Sequence, residues 1–364
     1  VILTIEYVAC LAERYHIPLE DVLFIALNIN GVNLECDYNR MRMAFRLTDS
    51  KLFEYAKQRG ELDYYFALPV DQDSPFAIVD NIMLLQNTVI GQAIGATEDI
   101  CDSHYSRRKG TSLNINPNSR TSCHGCQFCY TAYQIPYDRK RLKSDSDLRE
   151  FFEDWMTKYG LTDLSQLIQV SVVTGCYESG EAVCHFLVTL KKVLREYRFA
   201  GKIFYLGSQI ATQEQLRSVA EIQPFGICFS LETFERRELL RKDKRALSLQ
   251  DACELMDFAR SLGCEVNFSY IVGMEPLRVM EYHFNCLRER INKFPTINTL
   301  QLHKYHQATL RDPEAHCLDY YLNARQILER IFGQTNLRPL VWEDYRSLWF
   351  LTFDKEELHG IRTP

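Results

Sequence analysis

The sequence predicts an α/β fold in which strand–helix units follow a helical N-terminal segment, and three observations carry the prediction. From Thr111 to Phe332, short apolar or alternating runs exchange with amphipathic stretches of helical length, and six such units are countable. Units of that length build a parallel sheet or a barrel with helices outside it. The first hundred residues lack this rhythm and carry apolar residues at helical spacing. At 364 residues and 42.6 kDa the chain is long enough for one large α/β domain with an added segment.

Taken in order, Ile5 to Tyr15 and Leu19 to Asn28 show helical periodicity on either side of Ile17-Pro18, and Asp49 to Gln58 repeats it after Thr48. Residues 1–109 are therefore expected to be a mainly helical extension, either a plain structural subdomain or a cap on the substrate side of residues 110–364. Thr111 to Asn116 is the first strand candidate, Ser144 to Tyr159 a helix, Leu167 to Thr174 a buried strand, and Gly180 to Tyr197 a long amphipathic helix. Lys202 to Leu206, Gly226 to Leu231 and Cys264 to Val272 read as strands, with helices at Thr212 to Ala220 and Ser248 to Leu262 between them. Leu277 to Asn292 is expected as helix, Thr299 to Lys304 as the sixth strand, and Pro313 to Phe332 as the last helix. In such folds functional groups gather at the carboxyl ends of the strands.

Composition narrows the partners. The 42 Lys and Arg against 48 Asp and Glu give a formal charge of −6, so no global basic field attracts phosphate backbones and nucleic acid is not an expected partner. Thirteen cysteines is an odd number, and ten of them are scattered singly along a long chain; a reducing, cytoplasmic setting fits better than a disulfide framework. Val1 to Leu11 is interrupted by Glu6, and no apolar run reaches the roughly 20 residues of a spanning helix. Neither a signal peptide nor membrane association is expected. The chain begins at Val1 rather than Met, which leaves room for upstream residues.

The chemistry concentrates in Ser122-Cys-His-Gly-Cys-Gln-Phe-Cys-Tyr130, where Cys123, Cys126 and Cys129 supply three thiols within seven residues directly after the first strand. Three such thiolates hold three irons of a [4Fe–4S] cluster and leave the fourth open to an outside ligand. A tetrahedral zinc site, completed by His124 or a distant cysteine, is the alternative. Zinc motifs usually pair two ligands from one turn with two from elsewhere, and one tight triad ahead of an α/β repeat suits a cluster better.

From about Gly110 onward the chain resembles the radical S-adenosylmethionine (SAM) superfamily, whose core is a partial (β/α)6 barrel with its cluster loop after the first strand. Cys126-Gln-Phe-Cys129 matches the second half of that family's CxxxCxΦC pattern, while Cys123 and Cys126 are separated by two residues instead of three. The resemblance implies a [4Fe–4S] cluster and SAM as cofactors, SAM's amino and carboxylate groups on the open iron, and Phe128 near its adenine. At the end of the second strand, Thr174 and Gly175 hold the place of a Gly-Gly-Glu-Pro-like stretch that binds the SAM amino group, and Glu178 is a candidate for its acid. A simple strand-to-loop turn also accounts for Gly175, and Cys176 is either a hydrogen donor facing the site or a buried structural cysteine.

After the fourth strand, Ser230 and Glu232 share a face by the period of two, and the resemblance makes them candidates for ribose or substrate. Capping the next helix is the other role open to Glu232. Arg236, Arg237, Arg241, Lys242, Lys244 and Arg245 follow as a largely solvated basic run, from which Arg245 is the candidate to reach a carboxylate. On the fifth strand Asn267, Ser269 and Ile271 share a face and Gly273 marks the turn, similar to the family's adenine-packing segment. On the sixth, Gln301, His303 and Tyr305 are expected on one face as substrate candidates, or as satisfied rim polars.

No second cysteine group follows Cys129, Asp102-Ser103-His104-Tyr105-Ser106-Arg107 lacks the glycine of a cobalamin segment, and no glycine-rich phosphate loop is present. The resemblance thus implies an enzyme that takes an electron from a donor such as flavodoxin or ferredoxin and cleaves SAM reductively. The resulting 5′-deoxyadenosyl radical abstracts hydrogen from a small polar metabolite, such as an amino acid or natural-product precursor. Peptide modification is the nearer alternative, and a non-catalytic zinc-stabilised binding protein the alternative of another class.

Overall fold

Several helices begin where the sequence supplies a side-chain cap. The computed structural model describes residues 2–37, 39–100, 104–118, 125–130, 142–303 and 305–364. Helix α1 (Ile5–Tyr15) starts at Thr4, whose hydroxyl accepts the Tyr7 N–H, and ends where His16 turns left-handed. Helix α2 (Leu19–Asn30) has no polar side over its middle, and Val22 to Leu27 are fully buried.

Strand β1 (Arg40–Leu47), the short helix α3 (Glu54–Gln58), and strands β2 (Asp63–Pro69), β3 (Phe76–Val79), β4 (Ile82–Leu85) and β5 (Thr88–Glu98) follow. The five strands form an antiparallel sheet in the order β2-β1-β5-β4-β3. The expectation of a mainly helical first hundred residues is corrected here. Arg-Met-Arg-Met-Ala-Phe-Arg-Leu, the whole of β1, alternates with the period of a strand. Asp80 and Asn81, left-handed at φ 51° and 64°, make a two-residue hairpin turn that sets Val79 opposite Ile82.

The strand–helix repeat is as expected. Strands β6 (Tyr105–Arg107) and β7 (Ser112–Ile115) lead to α4 (Asp145–Tyr159), β8 (Gln169–Val173) to α5 (Gly180–Glu196), and β9 (Lys202–Gly207) to α6 (Gln213–Ala220). Strand β10 (Phe225–Glu232) leads through α7 (Lys242–Ala246) to α8 (Leu249–Ser261), β11 (Glu265–Val272) to α9 (Leu277–Leu287), and β12 (Thr296–Thr299) to α10 (Leu318–Phe332). A two-stranded hairpin, β13 (Thr352–Phe353) and β14 (Glu356–Glu357), lies near the C-terminus. One device starts four of the helices: Ser144, Ser179, Thr212 and Ser248 each accept the N–H three residues on.

The strands form a seven-stranded sheet in the order β12-β11-β10-β9-β8-β7-β6, parallel from β7 to β10, with β6 antiparallel at its edge. It curls into a half-barrel. The sixth strand is displaced from its expected place, ending at Thr299 instead of beginning there. Thr296, Ile297 and Thr299 are the β-branched residues and follow Pro295, which suits a strand start. The Leu300 N–H bonds the Val272 carbonyl, and the chain then passes into a 3₁₀ segment, Tyr305–Leu310.

Two compact units divide the chain differently from a single cut at 109: Val1–Ile100 with Tyr270–Cys286 and Thr296–Thr363 in one, Cys101–Ser269 with Leu287–Pro295 in the other. In the first unit Asp21 is fully buried. Its carboxylate accepts the backbone N–H groups of Phe350, Leu351 and Thr352 at 2.9, 2.9 and 3.1 Å and the Thr352 hydroxyl at 2.8 Å, and pairs with Arg325 at 2.9 Å. Arg325 also holds Glu329, which accepts from the Trp349 indole. No helix of the described residues is long and apolar enough to cross a membrane, and no disulfide joins the described cysteines.

Removing one partner from a buried, multiply bonded pair strands the other charge. Asp21→Ala is therefore expected to lose about 3–5 kcal/mol of stability, read from urea unfolding followed by tryptophan fluorescence; a loss below about 1 kcal/mol would contradict this account of the unit.

Candidate functional site

A strand alternates its side chains, and registered parallel neighbours keep the same faces together. Ser112 lies opposite Gln169 and Asn114 opposite Ser171, with Lys202 and Phe204 next across the sheet. Gly226 pairs with Phe204, and an ideal Cβ at Gly226 would sit 3.5 Å from the Glu265 Cβ. Counting by two up β10 and β11 then sets Cys228 level with Asn267 and Ser230 level with Ser269. On β7, β8 and β11 this face is polar, on β9 it carries Lys202 with Phe204 and Leu206, and on β10 Cys228 and Ser230, whereas the opposite face carries Leu113, Val170, Ile203, Ile227 and Phe268, all fully buried.

The polar face is buried as well: Ser112, Ser230, Asn267 and Ser269 are at most 2% exposed. Asn267 donates to the Phe294 carbonyl at 2.8 Å, and Asn114 to the Tyr105 hydroxyl at 2.9 Å. Among the described residues, the hydroxyls of Ser112, Ser230 and Ser269 and the Asn114 side-chain oxygen have no hydrogen-bond partner. Buried polar atoms are costly unless something satisfies them. Their gathering on one face marks it as lining for a polar ligand or water.

At the carboxyl ends of the strands the loops are pinned by side chains. Thr174 donates to the Asn116 side chain at 2.6 Å and accepts the Asn118 N–H at 3.1 Å, while the Asn118 amide donates to the Cys176 carbonyl. Gln209 clasps Tyr177 reciprocally, accepting its N–H and donating to its carbonyl, both at 2.8 Å. The cysteine turn begins at Gly125, whose φ of 70° favours glycine. The Cys129 N–H bonds the Cys126 carbonyl at 2.8 Å, and the Gln127 N–H bonds the Leu239 carbonyl at 3.0 Å. The turn therefore rests on the connection that follows β10.

That connection is held by Arg237, whose guanidinium donates to the carbonyls of Leu231, Thr233, Lys244 and Leu247 at 3.0, 3.1, 2.8 and 2.7 Å. It returns Lys244 to the end of β10, where the ammonium pairs with Glu232 at 2.8 Å. Glu232 is the last residue of β10 and takes a left-handed φ of 64°, which costs a non-glycine residue about 1–3 kcal/mol. Burial pushes the Cys126 thiol up in pKa, while Lys244 and a hydrogen bond from the Arg241 backbone N–H act in the opposite direction. Burial alone would lower the Lys244 pKa, yet Glu232 and then Cys126 hold it above the ordinary lysine range. Two thiols on one turn, a backbone N–H on sulfur and a neighbouring ammonium form a donor set suited to an anionic thiolate-bound cluster.

The expected site residues divide into those this end of the sheet gathers and those it does not. Cys126, Cys129, Ser230 and Glu232 lie in the arrangement just described, with Phe128 half-buried between the two cysteines. Ser269 and Asn267 occupy the polar face, and Thr174 and Gly175 form the pinned loop end. Cys176 is half-buried and close enough to Tyr205 to raise its hydroxyl pKa, second to burial. Cys123 lies outside the described residues. Glu178 is exposed and paired with Lys143 at 3.1 Å. Arg245 is exposed, and the inward-facing cation of its run is the preceding Lys244.

Ile271 is half-buried in the other compact unit, where Gly273 has φ 117° and leaves no room for a Cβ against the Tyr321 hydroxyl at 2.9 Å. The shared strand face expected of Gln301, His303 and Tyr305 is corrected, because β12 ends at Thr299. Gln301 donates to the Ala67 carbonyl at 2.9 Å, the His303 N–H bonds the Gln307 side chain at 2.8 Å, and the Tyr305 side chain lies outside the described residues. Sequence reasoning missed Lys244, Arg237, Asn118 and Gln209. The spacing of Lys244 from Glu232 carries no local periodicity that would have found it.

Arg237→Met removes four hydrogen bonds and frees the connection that supports the cysteine turn. It is expected to cost about 2–4 kcal/mol and to speed alkylation of Cys126 in the metal-free protein, read by mass spectrometry after iodoacetamide. Unchanged Cys126 reactivity would separate Arg237 from the turn.

Among solved structures, the chain is similar to SuiB of Streptococcus suis bound to S-adenosylmethionine, at 14% identity and TM-score 0.41 over 63% of this chain and 49% of that one. It is similar to anSMEcpe with bound AdoMet at 17% identity and TM-score 0.41, over 61% and 59% of the two chains. A third is the radical S-adenosylmethionine methyltransferase TsrM from Kitasatospora setae, with cobalamin and a [4Fe–4S] cluster bound, at 12% identity and TM-score 0.36 over 52% and 37%. The chain thus spans about half the length of SuiB. No family model and no curated protein matches. In its alternation of strands and helices the chain is similar to these solved structures.

Proposed function

We propose that this protein is a radical S-adenosylmethionine enzyme acting on a small polar substrate, with Cys123, Cys126 and Cys129 holding a [4Fe–4S] cluster. The observation that carries the reading is the buried polar face of the curled sheet, which ends at Glu232 and Lys244 beside the Cys126–Cys129 turn. When bound, the cluster and SAM supply reductive cleavage of the C5′–S bond and hydrogen abstraction from substrate. The chain supplies position and charge. Cys126 and Cys129 present two thiolates from one turn, and the Arg241 N–H and Lys244 offset their negative charge. In this reading Glu232 accepts from ribose hydroxyls, the Thr174–Gly175 loop end approaches the amino group, and Phe128 lies along the adenine.

The substrate takes the polar face, where Ser230 and Ser269 offer hydroxyls without partners among the described residues and Asn267 a fixed amide. Burial of that face also keeps stray hydrogen donors from the reacting carbon. A flavodoxin- or ferredoxin-type donor and a reducing, cytoplasmic setting complete the proposal, in keeping with an odd number of cysteines, most of them scattered singly.

Anaerobic reconstitution with iron and sulfide is expected to give a brown protein holding about four irons per chain. With SAM and dithionite it should release 5′-deoxyadenosine, and Cys126→Ala and Cys129→Ala should abolish both the colour and the release. One zinc per chain with no iron, or full iron loading without nucleoside release across candidate metabolites and peptides, overturns the assignment.

A further inference from the structure

We infer that the Lys244–Glu232 ion pair is a placeholder that S-adenosylmethionine displaces by exchange: the ligand carboxylate takes Lys244 while its ribose hydroxyls take Glu232. The inference rests on the function proposed above and adds how the site selects the intact ligand over its two halves.

Three features of the pair carry it. The side chains are 17% and 11% exposed and meet at 2.8 Å, so both charges are largely withdrawn from water and neither can be left without a partner cheaply. Both are held in place by backbone: Arg237 grips the Leu231, Thr233 and Lys244 carbonyls around them, and Glu232 is kept at a left-handed φ of 64°. Strain maintained at the end of a strand facing a cysteine turn belongs with function more readily than with stability. Ser230, two residues back on the same face, offers a buried hydroxyl with no partner among the described residues, so a diol arriving at Glu232 meets a second hydrogen-bonding group.

The consequence is a selection rule. A ligand carrying both an anionic carboxylate and a vicinal diol breaks the pair and satisfies both ends at once. Adenosine, which has only the diol, would draw Glu232 away and leave Lys244 without its carboxylate. Methionine, which has only the carboxylate, would leave Glu232 without its cation. Each fragment binds against the cost of the broken pair, and removing one member of the pair removes that cost for the fragment that needs the other.

Equilibrium dialysis of the reconstituted holoprotein with SAM, adenosine and methionine separately tests this. Lys244→Met is expected to weaken SAM about ten- to hundredfold while adenosine binds several-fold tighter. Glu232→Gln is expected to weaken SAM similarly while methionine binds tighter. Lys244→Arg and Glu232→Asp, which retain the pair, should keep the wild-type order of ligands. If either variant weakens or leaves unchanged the fragment expected to gain, the pair is fixed scaffold and the inference falls while the functional reading stands. Loss of iron binding in both Lys244→Met and Lys244→Gln also assigns the pair to scaffold. Failure of iron-loaded wild-type protein to bind SAM removes the functional reading, and the inference with it.

Discussion

A parallel strand buried on both faces has two kinds of position, and each must be filled by side chains that suit its surroundings. In this sheet one set is apolar and the other is polar on β7, β8 and β11, with Phe204 and Leu206 interrupting it on β9. Leu113, Val170, Ile203 and Ile227 are fully buried on the first, and Ser112, Ser230 and Ser269 on the second. A one-residue slip of β7, β8, β10 or β11 would exchange the sets, placing the hydroxyl of Ser112, Ser171, Ser230 or Ser269 among aliphatic side chains at a cost of about 1–3 kcal/mol each. Register therefore determines both stability and function. The same pairing that sets Ser112 opposite Gln169 places the carboxyl ends of the strands where their loops can converge.

Convergence alone does not make a site, because loops need anchors of their own. Here the anchors are polar side chains spent on neighbouring backbone: Thr174 on Asn118, Gln209 on Tyr177, Arg237 on four carbonyls. Each net hydrogen bond is worth about 1 kcal/mol, so several per loop suffice to fix one conformation. The order of support runs from β10 through Arg237 to the connection, and from the Leu239 carbonyl to the cysteine turn. The turn's two thiols consequently inherit their position from a strand well beyond their own in the chain.

The sequence displays the repeat of strands and helices with little ambiguity, because the helices that follow β7 carry apolar stripes and four of them a Ser or Thr cap. The cysteine loop stands out in the sequence as three thiols in seven residues, and of these the structure describes Cys126 and Cys129 on one turn. The first hundred residues are harder to read. Their strands are short, the hairpin turn is Asp80-Asn81 without a glycine, and helical and strand spacing coincide over four-residue runs. The end of β12 is obscured because Gln301, His303 and Tyr305 imitate a strand's alternation, although Gln301 is committed to the Ala67 carbonyl. Tertiary hydrogen bonds of that kind leave no mark on local periodicity.

The exchange of Arg245 for Lys244 shows where sequence reasoning about charge stops. Successive residues on a helix diverge by about 100°, so only one of the two can face the end of β10, and composition cannot say which. The structure turns Lys244 inward to Glu232 and leaves Arg245 exposed. Chemistry is consistent with that choice. A guanidinium presents its donors in a fixed planar fork, whereas an ammonium is a compact charge with three rotatable donors. Lys244 pairs with the Glu232 carboxylate at 2.8 Å, and the Cys126 and Cys129 thiols act with it to raise its pKa. A cation acted on by a carboxylate and by thiols together is better made from a compact ammonium than from a rigid plane.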